Sequence, residues 1–295
     1  MAINYADSFQ KELEQKYERE LCSAALGGQN VRFYDAKNVK VPTLSLGGFK
    51  DHSRSGGWNR QSVSNTYQVL TLSHDRNVEF LVDAMDVDET NQALSAANIT
   101  SVFASEQEIP ELDAYRFSKL LAEYIAKEGT PDTTALTTAN VLSVFDTFMG
   151  EMDEDGVPAT GRILYATPAV VKLLKNAEDI SRSLMITGKT GVIDRSVRSL
   201  DEVSVVTVPS ARMKSKYDFS DGFTAADDAR QINMILLHPS CVIAPVKRSA
   251  IYLFAPGEHT AGDGWLYQNR FFTDLFIISS KIGGVKINVE AESVE

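Results

Sequence analysis

Cysteine is almost missing from this chain. The two cysteines among 295 residues, Cys22 and Cys241, sit in unrelated contexts, which excludes a disulfide framework and any cysteine-based metal spacing and suits a protein made in a reducing cytoplasm. Histidine is scarce too: His52, His74, His238 and His259 form neither an H-E-x-x-H motif nor a ligand pair. No apolar run approaches the roughly 18–20 residues that cross a bilayer. The opening MAINYADSFQKELEQKYERE is charged and lacks the apolar core of a secretory signal, so no membrane partner is expected. Basic surplus is lacking as well, with 29 Lys and Arg against 40 Asp and Glu, a net charge of −11, and no basic cluster longer than a pair. DNA carries about one negative charge per 1.7 Å of axis, so such a chain can lie near nucleic acid without gripping it.

Catalytic signatures are equally thin. No serine stands in a G-x-S-x-G elbow. LMITGKT at 184–190 has the end of a phosphate-binding loop, but Ser183 stands where the motif needs its first glycine, and a glycine turn beside Lys189 fits better. FLVDAMDVDETN, residues 80–91, gathers Asp83, Asp86, Asp88 and Glu89. It lacks the glycine and spacing of a calcium loop. It stands where a strand gives way to a helix, and Asp88 is expected to cap that helix start. No catalytic residue, metal site or cofactor emerges.

What is present is a set of segments in an unusual order. With 43% hydrophobic residues the chain can bury a substantial core. Phe9, Leu13, Tyr17 and Leu21 recur every fourth residue over 6–22, a helical stripe one residue wide that suits an arm lying on another surface. VRFYDAKNVKVPTLSL and YQVLTLSHDRNVEFLVDA are β-rich, the second alternating at Leu70, Leu72, Val78, Phe80 and Val82. Between them lies a polar, glycine-rich stretch bearing Lys50, Arg54, Trp58 and Arg60. That pattern predicts a very long hairpin over 31–82 with a cationic tip. A lone two-stranded ribbon is marginal in water, so it must lie on its own body or on a neighbouring subunit, and the residues leave both open. Trp and Arg at the tip are types enriched in interface contacts.

Two helices come next. The second opens at Pro110 and closes at Gly129, with Leu112, Phe117, Leu120, Leu121, Tyr124 and Ile125 as its apolar face. A third helix follows with Thr137 or Thr138 as cap and Val141, Phe145, Phe148, Met149 and Met152 on one side. Short elements then alternate irregularly: strands RILYAT, DEVSVVTVPS, MILLH, CVIAPV, AIYLFAP, DLFIISS and GGVKINVE, and helices PAVVKLLKN and AADDARQIN. The fold class expected is α+β.

In this order, KNVKVPTLSLGGFKDHSR, LTLSHDRNVEFLVDAMDVDETN, IPELDAYRFSKLLAEY, RILYATPAVVKLL, INMILLHPSCVIAPVK and NRFFTDLFIISSKIGGVKI make the chain resemble a major capsid protein of a tailed bacteriophage with the Hong Kong 97-type capsid fold. The resemblance implies an N-terminal arm at 1–30 and an extended loop at 31–82 lying across an adjacent subunit. It implies a peripheral domain from 83–136 and 258–295 with a spine helix from Pro110 to Glu128, and an axial domain at 137–257. It further implies hexamers and pentamers closing into an icosahedral virion shell assembled in the host cytoplasm. The shell would be filled with DNA through a portal, aided by scaffolding and in some cases decoration proteins, and without enzymatic activity. Only about thirty residues precede the ribbon, so a separate or removed scaffolding segment is expected. Some relatives carry lysine–asparagine crosslinks; Lys50 lies near the tip, where a lysine is ordinarily just solvated. An encapsulin, a nanocompartment shell of the same fold around enzyme cargo, is the alternative, and a cytoplasmic hydrolase with a scattered active site the remote one.

Overall fold

A computed structural model describes residues 20–27, 33–35, 37–52, 56, 58–85, 96–177 and 197–292. The expected arm residues Phe9, Leu13 and Tyr17, the tip residue Arg54, the cap Asp88 and the stretch 184–190 lie outside these residues. The chain runs through β1 (Asn38–Leu46), β2 (Val63–Thr71), β3 (His74–Asp83), α1 (Ala96–Phe103), α2 (Ile109–Ala126), α3 (Val141–Glu154), β4 (Ile163–Ala166) and α4 (Pro168–Asn176). It continues with the short β5 (Ser199–Leu200), β6 (Val203–Thr207), β7 (Tyr217–Asp218), β8 (Thr224–Ala225), β9 (Ile232–Leu237) and β10 (Val242–Ile243). The last strands are β11 (Val246–Phe254), β12 (Gly264–Thr273), β13 (Phe276–Ile277) and β14 (Val285–Val289).

The body is built on a five-stranded mixed sheet in the order β14-β9-β4-β6-β5. Its interior strand β9 reads INMILL without alternation because both faces are covered. Ile232, Ile235 and Leu237 point with Tyr165 and Ile287 into the cluster that receives Phe117, Leu120, Leu121 and Tyr124 of α2. Met234 and Leu236 point the other way, against Val141, Phe145, Phe148 and Met152 of α3 and Val170 and Leu174 of α4. The sheet is thus sandwiched between helices. A three-stranded antiparallel sheet, β11-β12-β3, stands apart from it.

Several expectations change here. The run expected as one strand from Tyr67 onward divides at Leu72-Ser73: β2 pairs with β1 over the full register from Asn38↔Thr71 to Leu46↔Val63, while β3 pairs with β12. Alternation continues through the break, so period alone cannot show that the partner changes. The extended hairpin therefore ends near residue 72, not 82. The C-terminal stretch also divides: β12 joins β3, but β14 pairs with β9 in the five-stranded sheet, and β11, expected in the axial part, pairs with β12. Gly264–Thr273 was not expected as a strand at all, although Trp265, Tyr267, Phe271 and Phe272 are good strand formers.

Helix boundaries shift for local reasons. Pro110 stands in the first turn of α2, but the helix does not start afresh there, since helical backbone runs from Ala96 to Ala126 through a wide π turn at Ala104–Glu108. Proline has no N–H and its ring would strike the carbonyl four residues back; the wide turn, in which the Ile109 N–H reaches the Ala104 oxygen, falls just where that crowding arises. The cap of α3 is Asn140, not Thr137 or Thr138, and Ile125 is exposed. AADDARQIN is a turn followed by a bridge at Gln231, with no apolar stripe to hold a helix. CVIAPV breaks at Ala244-Pro245 into β10 and the start of β11.

A candidate assembly interface

The β1–β2 ribbon has two unlike faces. Directly paired residues share a face. One carries Pro42, Leu44 and Leu46 with Val63, Tyr67 and Val69; the other carries Thr43, Ser45, Ser64 and Thr66 beyond Val39, Val41 and Leu70. The second face is buried only at the root, where Val39, Leu70 and Leu72 pack with Phe272 and Phe276. The apolar face is bare: Leu44 is 62% exposed, Leu46 65%, Val63 65%, Tyr67 58% and Val69 53%. Those exposures decide between the two places a ribbon could lie, because this one does not fold back on its own body.

The tip is closed by side chains reaching across it. Asn59 donates to the carbonyls of Lys50 (3.3 Å) and Asp51 (3.0 Å), and Gln61 to that of Gly48 (3.1 Å). Phe49 and Trp58 stand fully exposed there, with Lys50, His52 and Asn59 around a cleft of about 680 Å³. Lys50, Trp58 and Arg60 are all exposed, as a contact role requires. The residues that carry the apolar face, Leu44, Leu46, Val63, Tyr67 and Val69, escaped the sequence reading. Their signal was visible as PTLSL and VSNTYQV, where apolar residues alternate with Ser, Thr and Asn.

The root is rigid where the ribbon leaves the body. Asp35 accepts from the backbone N–H groups of Lys37 (2.9 Å) and Asn38 (2.8 Å) and from the Asn38 amide, whose oxygen accepts from Thr71 (2.6 Å). The Asn38 side chain, then the Lys37 backbone, hold the Asp35 carboxyl below its ordinary range. Lys40 lies over the Tyr34 ring and Lys247 over Phe33. At the exit into β3, Ser73 donates its N–H (2.8 Å) and hydroxyl (3.0 Å) to the buried Asp274. His74 stacks on Tyr115 with ring centroids 3.7 Å apart, and burial, reinforced by the Arg76 charge, drops it to about 4, so it is neutral.

The arm is anchored at its end. Asp113 on α2, fully buried, accepts from the backbone N–H groups of Cys22 (3.0 Å) and Ser23 (2.9 Å) and from Arg212 (3.1 Å), while Arg116 donates to Ser23. Leu21, last of the expected stripe, is half-buried beside this anchor. At the close of β3 Asp83 accepts the Met85 N–H (2.8 Å). Among the described residues no three His, Cys, Asp or Glu side chains gather as a metal site, and no helix is long and apolar enough to cross a membrane.

No family model and no curated protein sequence matches the chain. Solved structures do. The mature capsid of bacteriophage PhiM1 superposes with a TM-score of 0.72 at 15% identity, over 99% of this chain and 93% of that one. The chain has a phage capsid fold. The capsid of cyanophage P-SCSP1u gives 0.66 at 11% identity, over 98% and 94%, and a structure from Mycobacterium phage Che8 gives 0.60 at 14%, over 98% of both chains. The capsid fold is carried at identities too low to transfer any single residue's role, so the roles here rest on the geometry of this chain.

Proposed function

We propose that this chain is the major capsid protein of a tailed, double-stranded DNA phage. Copies associate as hexamers and pentamers into an icosahedral shell, with no catalytic step. The observation that carries the reading is the bare apolar face of the ribbon, together with a fold it shares with phage capsids. Large exposed apolar patches on a single chain mark contact surfaces. A closed symmetric assembly gives every copy's ribbon the same neighbour and leaves no loose edge.

The shell reading assigns the anchored arm end at Cys22 and Ser23 to holding the N-terminal arm where it leaves the body, and the tip residues Lys50, Arg54, Trp58 and Arg60 to intersubunit contact. The acidic balance of −11 suits an inner wall along which DNA slides, with no sequence-specific grip. Portal, scaffolding and decoration proteins are the partners such a shell requires, and the virion is its location. Negative-stain electron microscopy of the expressed chain, alone and with its neighbouring genes, tests the reading. Closed particles of uniform diameter are expected; a monodisperse monomer under both conditions refutes it.

A further inference from the structure

Between the three-stranded sheet and the start of α2 lies a cleft of about 620 Å³, a size typical of small-molecule sites. Its floor is one face of that sheet, where Val78 and Phe80 of β3 pair with Asn269 and Tyr267 of β12. Phe103 of α1 closes over Phe80 with ring centroids 5.5 Å apart. The π turn forms the roof and brings Gln107 and Glu108 to the cleft. Such turns re-aim side chains and recur at functional sites. The side wall is the loop Ser220–Gly222, fixed because Arg76 donates to the Phe219 carbonyl and to that of Gly222 (3.3 Å).

The polar groups of this cleft are not balanced. Arg76 is taken up by Glu111 at 2.7 Å, and His74 is neutral. Glu108 and Asp221 remain, and among the described residues neither is paired with a basic side chain; Glu108 accepts from the uncharged Asn269 amide (3.0 Å). Tyr267 is 2% exposed, and its buried hydroxyl has no hydrogen-bond partner among the described residues, which is costly. Its ring stacks on Phe80 at 5.9 Å. Burial pushes the phenol upward, and the groups that act on it next are Asn269 and Glu108, both in the wall of the cleft.

We propose that the cleft binds a linear aliphatic polyamine, whose ammonium groups meet Glu108 and Asp221 while its methylene stem lies on Phe80 and Phe103. The inference goes beyond the shell reading and does not depend on assembly. The unpaired carboxylates repel an anion. A hard metal ion wants six or more oxygen ligands, and among the described residues no three His, Cys, Asp or Glu side chains gather to supply them. An alkylammonium suits both surfaces at once. The carboxylates accept its N–H groups as charge-assisted bonds, the aromatic faces attract the cation, and the apolar floor takes the stem out of water. The Tyr267 hydroxyl, an acceptor as well as a donor, gains the partner it lacks.

Isothermal titration of the full chain with 1,4-diaminobutane in about 150 mM salt tests the site. Saturable binding at one diamine per chain is expected. Glu108→Gln keeps the size and the bond from Asn269 but removes the charge, and should weaken binding about tenfold or more. Phe103→Leu stays apolar without the ring, and should weaken it about threefold. Glu79→Gln lies on the opposite face of β3, where Glu79 accepts from Gln268, and should leave binding as in the parent. Melting curves show which variants fold; should Glu108→Gln melt early, Asp221→Asn in the exposed loop takes its place, with a loss of about threefold. Absence of saturable heat, equal binding of magnesium, or indifference to the loss of the Glu108 charge overturns the site. Tighter binding of Nα-acetyl-lysine methylamide would give the cleft to a lysine of another chain and overturns it too. Particles formed by a chain that takes no diamine leave the shell reading intact, and diamine binding by a chain that never assembles supports the site while ending that reading.

Discussion

Tyr115 on α2 donates its hydroxyl to Asp274 at 2.8 Å, and the same carboxylate receives both donors of Ser73 and the Leu275 N–H. A single buried side chain thereby ties the exit of the ribbon to the helix and to the end of β12. Burial and the adjacent Asp274 push the Tyr115 phenol upward, so it remains a donor at every physiological pH. Tyr115→Phe removes one partner of a buried carboxylate and should cost about 1–3 kcal/mol. Urea unfolding gives the size, and hydrogen exchange at Ser73 should quicken along with it. A loss smaller than about 0.5 kcal/mol would mean that Asp274 is satisfied without the helix.

His74, one residue beyond that hinge, makes the fold sensitive to acid. Its ordinary value of 6.5 falls to about 4 in the folded chain, mainly through burial, so the unfolded chain binds the proton more readily. The group's contribution is therefore fully present above pH 6.5 and is lost as pH falls from 6.5 toward 4, about 3 kcal/mol in all. Glu111, 3.8 Å from the His74 ring and raised by burial, acts with the opposite sign, and Asp75, Arg76 and Asp274 complete the charged surroundings. The quantity to measure is the difference between parent and His74→Phe in unfolding free energy at pH 7.5 and at pH 4.5. The parent should lose more on acidification, and equal losses would show that His74 is not what acid attacks.

How much of this the sequence disclosed depends on how local each signal is. The helix face of Phe117, Leu120, Leu121 and Tyr124 and the strands around Leu164 and Ile235 were legible because their period and composition are local. Asp113 and Arg116, buried on the same helix, were not, since their partners Ser23 and Arg212 are 90 or more residues distant. The ribbon was foreseen but overextended, because Leu72 and Val78 keep step across a change of partner. Its bare apolar face lay in the alternation of PTLSL and went unread, as alternation tells which residues share a face but not which face is covered.

The end of α2 shows a position where the expected residue matters for an unexpected reason. Glu128 holds φ +67°, its N–H bonding to Ile125, while Gly129 bonds to Tyr124. The left-handed residue is thus the glutamate, and the glycine is needed because a Cβ there would lie 2.5 Å from the Tyr124 ring. Glu128→Gly should stabilise by up to about 1 kcal/mol, and Gly129→Ala should destabilise by about 1–3 kcal/mol. Thermal unfolding of the two single variants distinguishes the roles; a reversed order would mean that the tyrosine ring yields easily.

Leu44 and Tyr67 on the ribbon should behave unlike Leu70 at its root. Leu70 is buried against Phe272 and Phe276, so Leu70→Ala should cost about 2–4 kcal/mol of folding stability. Leu44→Ser with Tyr67→Ser removes side chains that are mostly exposed in the single chain, where the Tyr67 hydroxyl accepts only a long bond from the exposed Asn65 amide (3.4 Å), and its unfolding free energy should stay within about 0.5 kcal/mol of the parent. Burying each of those side chains against a neighbour is worth roughly 1.5–3 kcal/mol, so their loss weakens each contact by a factor on the order of a hundred or more. Sedimentation should then find a folded chain that no longer assembles. Particles of parental yield and heat resistance would show that the apolar face of the ribbon is not an assembly surface, and removing residues 50–60 at the tip should fail in the same way as the double variant.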